Sequence, residues 1–187
     1  MPRAGLDPDA VVAAAAELAD ADGLEAVTLA RLADRLGVRP PSLYAHVDGL
    51  EDLRRRLAAR GARELAAALQ AAAAGRARGD ALAAVAEVYR AYAREHPGTY
   101  SAMQRTPNLA EPDAAVAAGA LVEVVLAVLR GYGLVGDDAI HGARIVRAAL
   151  HGFVSLEGES GFGIPLGLDE SFARLVAVLD DGLATAR

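Results

Sequence analysis

The sequence predicts an all-α fold of about nine helices. Apolar residues recur at helical spacing along nearly the whole chain, and no segment alternates apolar and polar residues as a half-buried β-strand does. Glycines and prolines divide these apolar segments into helix-sized lengths. The chain has 187 residues, of which 53% are hydrophobic and 24% charged, so it can bury a sizeable core in one or two globular domains.

The first two predicted helices have recognisable ends. Asp7 followed by Pro8 is a typical helix start, and the apolar stripe behind it predicts a helix over residues 8–22 that Gly23 ends. A second helix, only two turns long, is capped by Thr28 and ended by a glycine. Its apolar residues have the i, i+3, i+4, i+7 spacing of one buried face: Leu29, Leu32, Ala33 and Leu36.

A third short helix is predicted directly after the Gly37-Val38 turn. Pro40 and Pro41 can occupy only the first turn of a helix or the approach to it, so the helix begins there. Two short helices joined by a glycine-containing turn predict a helix-turn-helix, whose second helix can enter a DNA major groove about 12 Å wide.

Charge is distributed unevenly along the chain. The formal net charge is −6, which argues against a protein that coats nucleic acid indiscriminately. Residues 1–27 hold one arginine and six acids, whereas residues 28–63 hold eight arginines and four acids. The basic block therefore coincides with the helix-turn-helix, which favours DNA binding; the alternative is that these arginines only solvate helix faces.

Six further helices are predicted beyond this region. Asp48 with Glu51 resembles a capping box at the start of the fourth, and Asp169 is expected to cap the ninth. Thr106-Pro107-Asn108 and Pro112 interrupt the chain between the sixth and the seventh. The six cover residues 48–73, residues 80–95 up to the stop at His96-Pro97-Gly98, a short helix holding Tyr100 and Met103, residues 113–130, 137–157 and 169–184.

Several function classes are excluded or disfavoured. Cysteine is absent, so the chain has no disulfide framework, and we expect a reducing, cytoplasmic compartment. The N-terminus lacks the apolar run of a signal sequence, and no stretch reaches about 20 uninterrupted apolar residues, so no membrane association is expected. Gly158-Glu159-Ser160-Gly161 lacks the spacing of a nucleophile elbow. We therefore expect no catalysis, no cofactor and no metal site.

The helix-turn-helix residues resemble those of a known family. The segments Thr28–Val38 and Ser42–Val47 are similar to the N-terminal domain of TetR-type transcriptional regulators. The resemblance implies a DNA-binding domain over residues 1–47 and a helical effector-binding and dimerisation domain over residues 48–187. It also implies a double-stranded, palindromic operator, and a repressor more readily than an activator. The segment Leu150–Glu157 is similar to a C-terminal domain class called WHG, although this chain has no tryptophan.

Seven residues are the candidate DNA contacts. In the family, a tyrosine and a histidine of the third helix contact the DNA backbone. The corresponding residues here are Tyr44 and His46. Leu50 stands where the family usually has a phosphate-binding lysine, so Arg54, Arg55 or Arg56 is expected to compensate. The full set is Thr28, Arg39, Pro41, Ser42, Tyr44, His46 and Arg54.

Two apolar stripes near the C-terminus predict a homodimer interface. One contains Ile145, Ala149, Gly152 and Leu156, and the other contains Phe172, Leu175, Val176, Leu179 and Leu183. Helical regulators commonly pair two such helices with the same two of a second copy across a twofold axis. The alternative is that both stripes face only the core of their own chain.

An effector site is predicted in the second domain. Its candidate residues are Tyr89, Tyr92, Tyr100, Met103, Val125, Leu129, His151 and Phe153. They would form an apolar site with few polar groups, and a small apolar ligand bound there would weaken operator binding through linkage. The alternatives are an ordinary core for these residues, and, for the whole protein, a helical interaction module that does not bind DNA specifically.

Overall fold

The computed structural model describes residues 6–104 and 111–186. The described elements, with η for a 3-10 helix, are α1 (Pro8–Asp22), η1 (Leu24–Ala26), α2 (Leu29–Leu36), η2 (Pro40–Ala45), α3 (Leu50–Ala73), α4 (Arg78–Glu95), α5 (Pro97–Gln104), α6 (Pro112–Arg130), α7 (Gly136–Gly158) and α8 (Leu168–Thr185). The predicted all-α fold is confirmed over these residues. The eight α-helices and η2 correspond to the nine predicted helices, and η1 adds a single turn.

The predicted ends of the first two helices are confirmed. The Asp7 carboxylate accepts a hydrogen bond from the N–H of Ala10 at 2.7 Å and so caps α1. The Thr28 hydroxyl oxygen accepts from the N–H of Arg31 at 3.2 Å and caps α2. Gly37 ends α2 in the left-handed conformation, with φ 66°, which a glycine adopts without steric cost.

The region between α2 and α3 differs from the prediction in two details. The third helix is a 3-10 helix, which is the geometry expected for a short helix that begins with two prolines. The predicted capping box of Asp48 with Glu51 is wrong, because the N–H of Asp48 donates to the Asp52 carboxylate at 3.0 Å instead.

Two further predictions about helix ends are corrected. Pro97 begins α5 directly after α4, so His96-Pro97-Gly98 is a junction between two helices and not only a stop. Gly167 occupies the N-cap position of α8, and Asp169 lies inside the first turn. The predicted break at Thr106-Pro107-Asn108 lies outside the described residues.

The chain divides into two compact units. Unit 1 consists of Met1–Ala62 and Glu95–Ala118, and unit 2 consists of Arg63–Arg94 and Gly119–Arg187. The predicted functional boundary between residues 47 and 48 stays a prediction, because compactness and function need not divide a chain at the same place.

Each unit has its own buried core. In unit 1, α1, α2, η2 and the start of α3 enclose fully buried aliphatic side chains: Val11, Ala15, Val27, Leu32, Leu43, Leu53 and Leu57. In unit 2, large apolar side chains that are at most 2% exposed come from five helices: Leu65, Leu69, Leu82, Leu129, Leu150 and Phe172. These apolar interiors supply most of the driving force for folding.

One described helix has the length and apolar composition of a membrane span. It is α6, Pro112–Arg130, with a mean hydropathy of 1.9. A single such helix is weak evidence for a membrane segment, since an apolar helix of a soluble protein has the same composition. We expected no membrane span from the sequence, because no stretch reaches about 20 uninterrupted apolar residues.

Candidate nucleic-acid interface

The helix-turn-helix is formed by α2, the Gly37-Val38 turn and η2. The N–H of Val38 donates to the carbonyl of Ala33 at 3.0 Å, which closes the turn directly behind α2. Leu43 in η2 and Val47 behind it are 0% and 2% exposed, so they anchor the short helix in the core of unit 1. The sequence around the turn therefore fixes where η2 lies.

The outward side of η2 and the residue at its N-cap supply four of the seven candidate DNA residues. Side chains three positions apart eclipse each other in a 3-10 helix, so Tyr44 lines up with Pro41, and Ser42 with Arg39 at the N-cap. All four are exposed, and the Tyr44 side chain is 61% exposed despite its apolar ring. His46, at the C-terminal end of η2, is half-buried.

Thr28 lies at the N-terminus of α2, where it is exposed. Its oxygen caps the helix, which leaves the hydroxyl hydrogen available to an outside acceptor. A helix N-terminus with a hydroxyl donor is a typical phosphate contact. The structure thus brings six of the predicted DNA residues onto α2 and η2.

Arg54 is placed differently from its prediction. Its side chain is 14% exposed and forms ion pairs with Glu25 at 3.3 Å and with Glu51 at 3.2 Å. Leu50, which stands in place of the family's lysine, is half-buried against the core of unit 1. Arg54 is therefore engaged inside the protein in this conformation.

The neighbouring arginines of α3 share one buried acid. Arg55 and Arg56 contact the two oxygens of Asp52 at 3.2 Å and 2.8 Å. Burial alone would raise the pKa of Asp52, but the hydrogen bond from the N–H of Asp48 and the charge of Arg56 hold that pKa below its ordinary value. Asp52 is therefore a fixed anion that holds the start of α3 to the preceding turn.

The helix α5 is seated on α1 within unit 1. The Asp20 carboxylate accepts from the N–H of Thr99 at 2.7 Å and lies 3.1 Å from Nδ1 of His96. At Gly98 the backbones approach so closely that a Cβ atom would lie 2.0 Å from the carbonyl oxygen of Ala19. The sequence analysis missed this contact, because it interpreted Gly98 only as part of a helix stop.

The predicted dimer stripes fall on α7 and α8, and the structure separates their residues by burial. Ile145 and Leu156 on α7 are 56% and 46% exposed. On α8 the packing is the opposite, since four of the five predicted residues are buried in the core of unit 2 and Leu175 is half-buried. The four are Phe172, Val176, Leu179 and Leu183.

The predicted effector residues are divided between the two units. Tyr100 and Met103 belong to unit 1, and the other six belong to unit 2. Within unit 2 four are buried and two are half-buried. The buried ones are Tyr89, Tyr92, Leu129 and Phe153, and the half-buried ones are Val125 and His151.

Unit 2 contains a buried arginine that the sequence analysis did not identify. Arg90 is 5% exposed, and its guanidinium lies 4.8 Å from the ring centroid of Phe172 and 5.5 Å from that of Phe153. It donates to both carboxylate oxygens of Glu157, at 2.9 Å and 2.5 Å, and pairs with Asp169 at 2.9 Å. One side chain of α4 thus fixes the end of α7 and the start of α8.

The electrostatics of this cluster favour the ionised forms. The hydrogen bonds to Glu157 raise the pKa of Arg90 further above its already high value. The same bonds lower the pKa of Glu157, against the opposing effect of burial. The only sequence signal was an arginine one position after Tyr89 on an otherwise apolar helix face.

Comparisons with known proteins agree with this architecture. Residues 11–57 match the tetR family of bacterial regulatory proteins, and residues 82–179 match a tetracyclin repressor-like C-terminal domain. The HTH-type transcriptional regulator Rv0681 of Mycobacterium tuberculosis is 40% identical over 181 residues, which cover 96% of this chain and 83% of that protein.

Solved structures share the fold. A protein of unknown function from Rhodococcus sp. RHA1 superimposes with a TM-score of 0.81 at 23% identity, covering 99% of this chain and 100% of that one. The TetR family protein ActR of Streptomyces coelicolor, solved in complex with (S)-DNPA, gives 0.70 at 21% identity, covering 98% and 100%. At such identities the likeness shows the fold alone.

A helix-turn-helix unit and a larger helical unit in one chain define the class of helix-turn-helix transcriptional regulators. Within that class, the family matches at both ends of the chain decide the assignment. The chain belongs to the TetR family and is a DNA-binding transcriptional regulator.

Proposed function

We propose that this regulator is a cytoplasmic repressor that binds a palindromic operator as a homodimer and leaves it when a small apolar molecule binds. The exposed outward side of η2 is the observation that carries the proposal. Six residues at about 2.0 Å rise give η2 a length of about 12 Å, enough to reach only a few base pairs. Affinity therefore requires two copies that read half-sites about 34 Å or a multiple of it apart.

The proposed DNA contacts have distinct roles. Arg39 and Ser42 share one row of η2 and reach base edges or phosphates, while Tyr44 and His46 contact the backbone. Thr28 donates to a phosphate at the N-terminus of α2. Arg54 reaches DNA only if it exchanges its carboxylate partners for a phosphate.

The proposed homodimer uses the exposed stripes of α7 and α8. On α7 this stripe is the predicted one: Ile145, Ala149, Gly152 and Leu156. On α8 it is the row beside the buried residues, which contains Leu175, Val178 and Gly182. Val178 is 69% exposed, and nothing lies within 4 Å of a Cβ built on Gly152 or Gly182. Helices of a second copy can therefore approach closely at both glycines.

The proposed effector is a small, mostly apolar molecule held in unit 2. Tyr89, Tyr92, Leu129 and Phe153 supply buried apolar surface there. ActR, which shares this fold, was solved in complex with (S)-DNPA, so the fold can hold a ligand. We also propose the WHG class for the C-terminal domain, on the residues Leu150–Glu157.

Selection of DNA by the purified protein tests the proposal. We expect palindromic sites to be enriched, and Tyr44→Ala and Arg39→Ala to lose binding to them while melting like the wild type. Arg130→Ala is the matched control, since it removes an exposed arginine from the end of α6. A protein that enriches no sequence would refute the proposal and favour the helical interaction module.

A further inference from the structure

Three arginines of the basic block in unit 1 are paired with acids that precede the block in the sequence. Arg31 on α2 pairs with Asp22 at 2.5 Å, and Arg35 on α2 pairs with Glu17 at 2.7 Å. Arg54 on α3 pairs with Glu25 as described above. The acidic N-terminal segment thus folds against the basic block and neutralises part of it.

We propose that Glu17, Asp22 and Glu25 lower the electrostatic, sequence-independent attraction of unit 1 for DNA. This inference rests on the proposed function. In helix-turn-helix proteins the first helix crosses the phosphate backbone, and here that helix is α2. Arg31 and Arg35 therefore lie on the element where unpaired arginines would neutralise phosphates.

The ion pairs weaken the attraction for DNA whether or not the arginine side chains turn toward the DNA. Affinity for DNA backbone comes from the release of counterions, which requires a net positive charge at the phosphate. A carboxylate within ion-pair distance of the same guanidinium offsets that charge even if the arginine turns to the DNA. Each pair therefore contributes little to counterion release, whereas a lone arginine contributes fully.

The pairs restrain binding without being needed for folding. The side chains of Glu17, Asp22 and Glu25 are 65%, 45% and 79% exposed. The pairs of Arg31 and Arg35 are exposed on both sides, and such pairs stabilise a protein by roughly 0 to 1 kcal/mol each. Arg54 is 14% exposed, but it keeps its ion pair with Glu51 when the charge of Glu25 is removed, so loss of the three acids leaves the fold intact. In contrast, Arg39 at the start of η2 has no acid within ion-pair distance among the described residues, and it keeps its charge for the DNA.

The decisive experiment compares two triple variants with the same change of charge. The test variant is Glu17→Gln, Asp22→Asn and Glu25→Gln. The control variant is Glu87→Gln, Glu123→Gln and Asp138→Asn, which removes three exposed acids of unit 2. Affinity for the selected operator and for a scrambled duplex of equal length is measured for the wild type and both variants as a function of salt.

We expect the test variant to bind the scrambled duplex at least roughly tenfold more tightly than the control at about 0.1 M salt. The slope of log K against log salt should steepen by about 0.9 for each phosphate newly neutralised. Operator affinity should rise with it, because phosphate contacts carry no sequence information.

Each other outcome has one meaning. If the test and control variants share one affinity and one slope, the inference is wrong while the proposed function stands. If the wild type binds neither duplex, the proposed function is wrong. Should the triple variant melt early, Glu17→Gln alone is compared with Glu87→Gln, and equal salt slopes for these two overturn the inference.

Discussion

Replacing Glu157, near the C-terminal end of α7, by glutamine is expected to lower the free energy of unfolding substantially. The substitution keeps the shape of the side chain but removes the charge that faces the buried guanidinium of Arg90. Only one of the two hydrogen bonds, at 2.9 Å and 2.5 Å, can then remain, because the amide NH2 donates and cannot accept from the guanidinium. Asp169 remains as the only carboxylate on Arg90 among the described contacts, and its side chain is 90% exposed.

The magnitude follows from the burial of the pair. Removing one partner of a buried ion pair costs about 3 to 5 kcal/mol, because the other charge is left without compensation. Asp169 still compensates Arg90 in part, so we expect a loss of about 2 to 3 kcal/mol in the free energy of unfolding. For a chain of this size that loss lowers the melting temperature by roughly 5 to 10 °C.

Thermal unfolding followed by circular dichroism measures the effect. Asp169→Asn is the matched control, since an exposed carboxylate on the same arginine should cost below about 1 kcal/mol. The apolar pair Arg90→Met with Glu157→Leu should recover much of the loss, because it removes both buried charges together. The reasoning is refuted if Glu157→Gln melts with the wild type or no lower than Asp169→Asn.

Three further predictions concern pH and close packing. Since the folded-state pKa of Glu157 is lowered, its contribution is complete above the ordinary pKa and disappears as the pH falls through the folded value; melting curves of the wild type and Glu157→Gln should therefore converge as the pH falls below the ordinary range of a glutamate. Gly98→Ala should destabilise unit 1 by more than about 3 kcal/mol, because its Cβ meets a backbone carbonyl, whereas Gly119→Ala, in an open helical position, should stabilise by roughly 0.5 to 1 kcal/mol. Gly152→Leu should leave the protomer folded but raise the dimer dissociation constant measured by sedimentation, and an unchanged constant would move the proposed interface elsewhere.

Local chemistry made much of the fold predictable. Asp7, Thr28 and Gly37 each determine a helix end through their own side chain or their own φ angle, and all three ends are confirmed. The helix-turn-helix followed from the same kind of information, because it lies within one short stretch of sequence. Its second helix was misjudged only in type, since 3-10 and α geometry differ little over six residues.

Long-range pairing could not be predicted from the sequence. Glu157 and Arg90 lie 67 positions apart, and no periodicity relates a residue of α4 to one at the end of α7. The sequence also could not show whether the apolar stripe of α8 faces the core of its own chain or a second copy. An amphipathic helix shows that one face is apolar, but not whether the core or a second copy covers it.

The arginines of the two units show how burial decides what an ion pair does. Arg90 and Arg31 each pair with a carboxylate at 2.5 Å, Arg90 through two nitrogens and Arg31 through one. At Arg90 the pair is withdrawn from water, so its loss leaves an uncompensated charge and unfolding becomes easier. At Arg31 both partners remain hydrated, so the loss of Asp22 changes stability little and changes the field that DNA meets. An acid that lies beside an exposed arginine on a DNA-facing helix is therefore best tested by the salt dependence of binding, whereas an acid beside a buried arginine is best tested by melting.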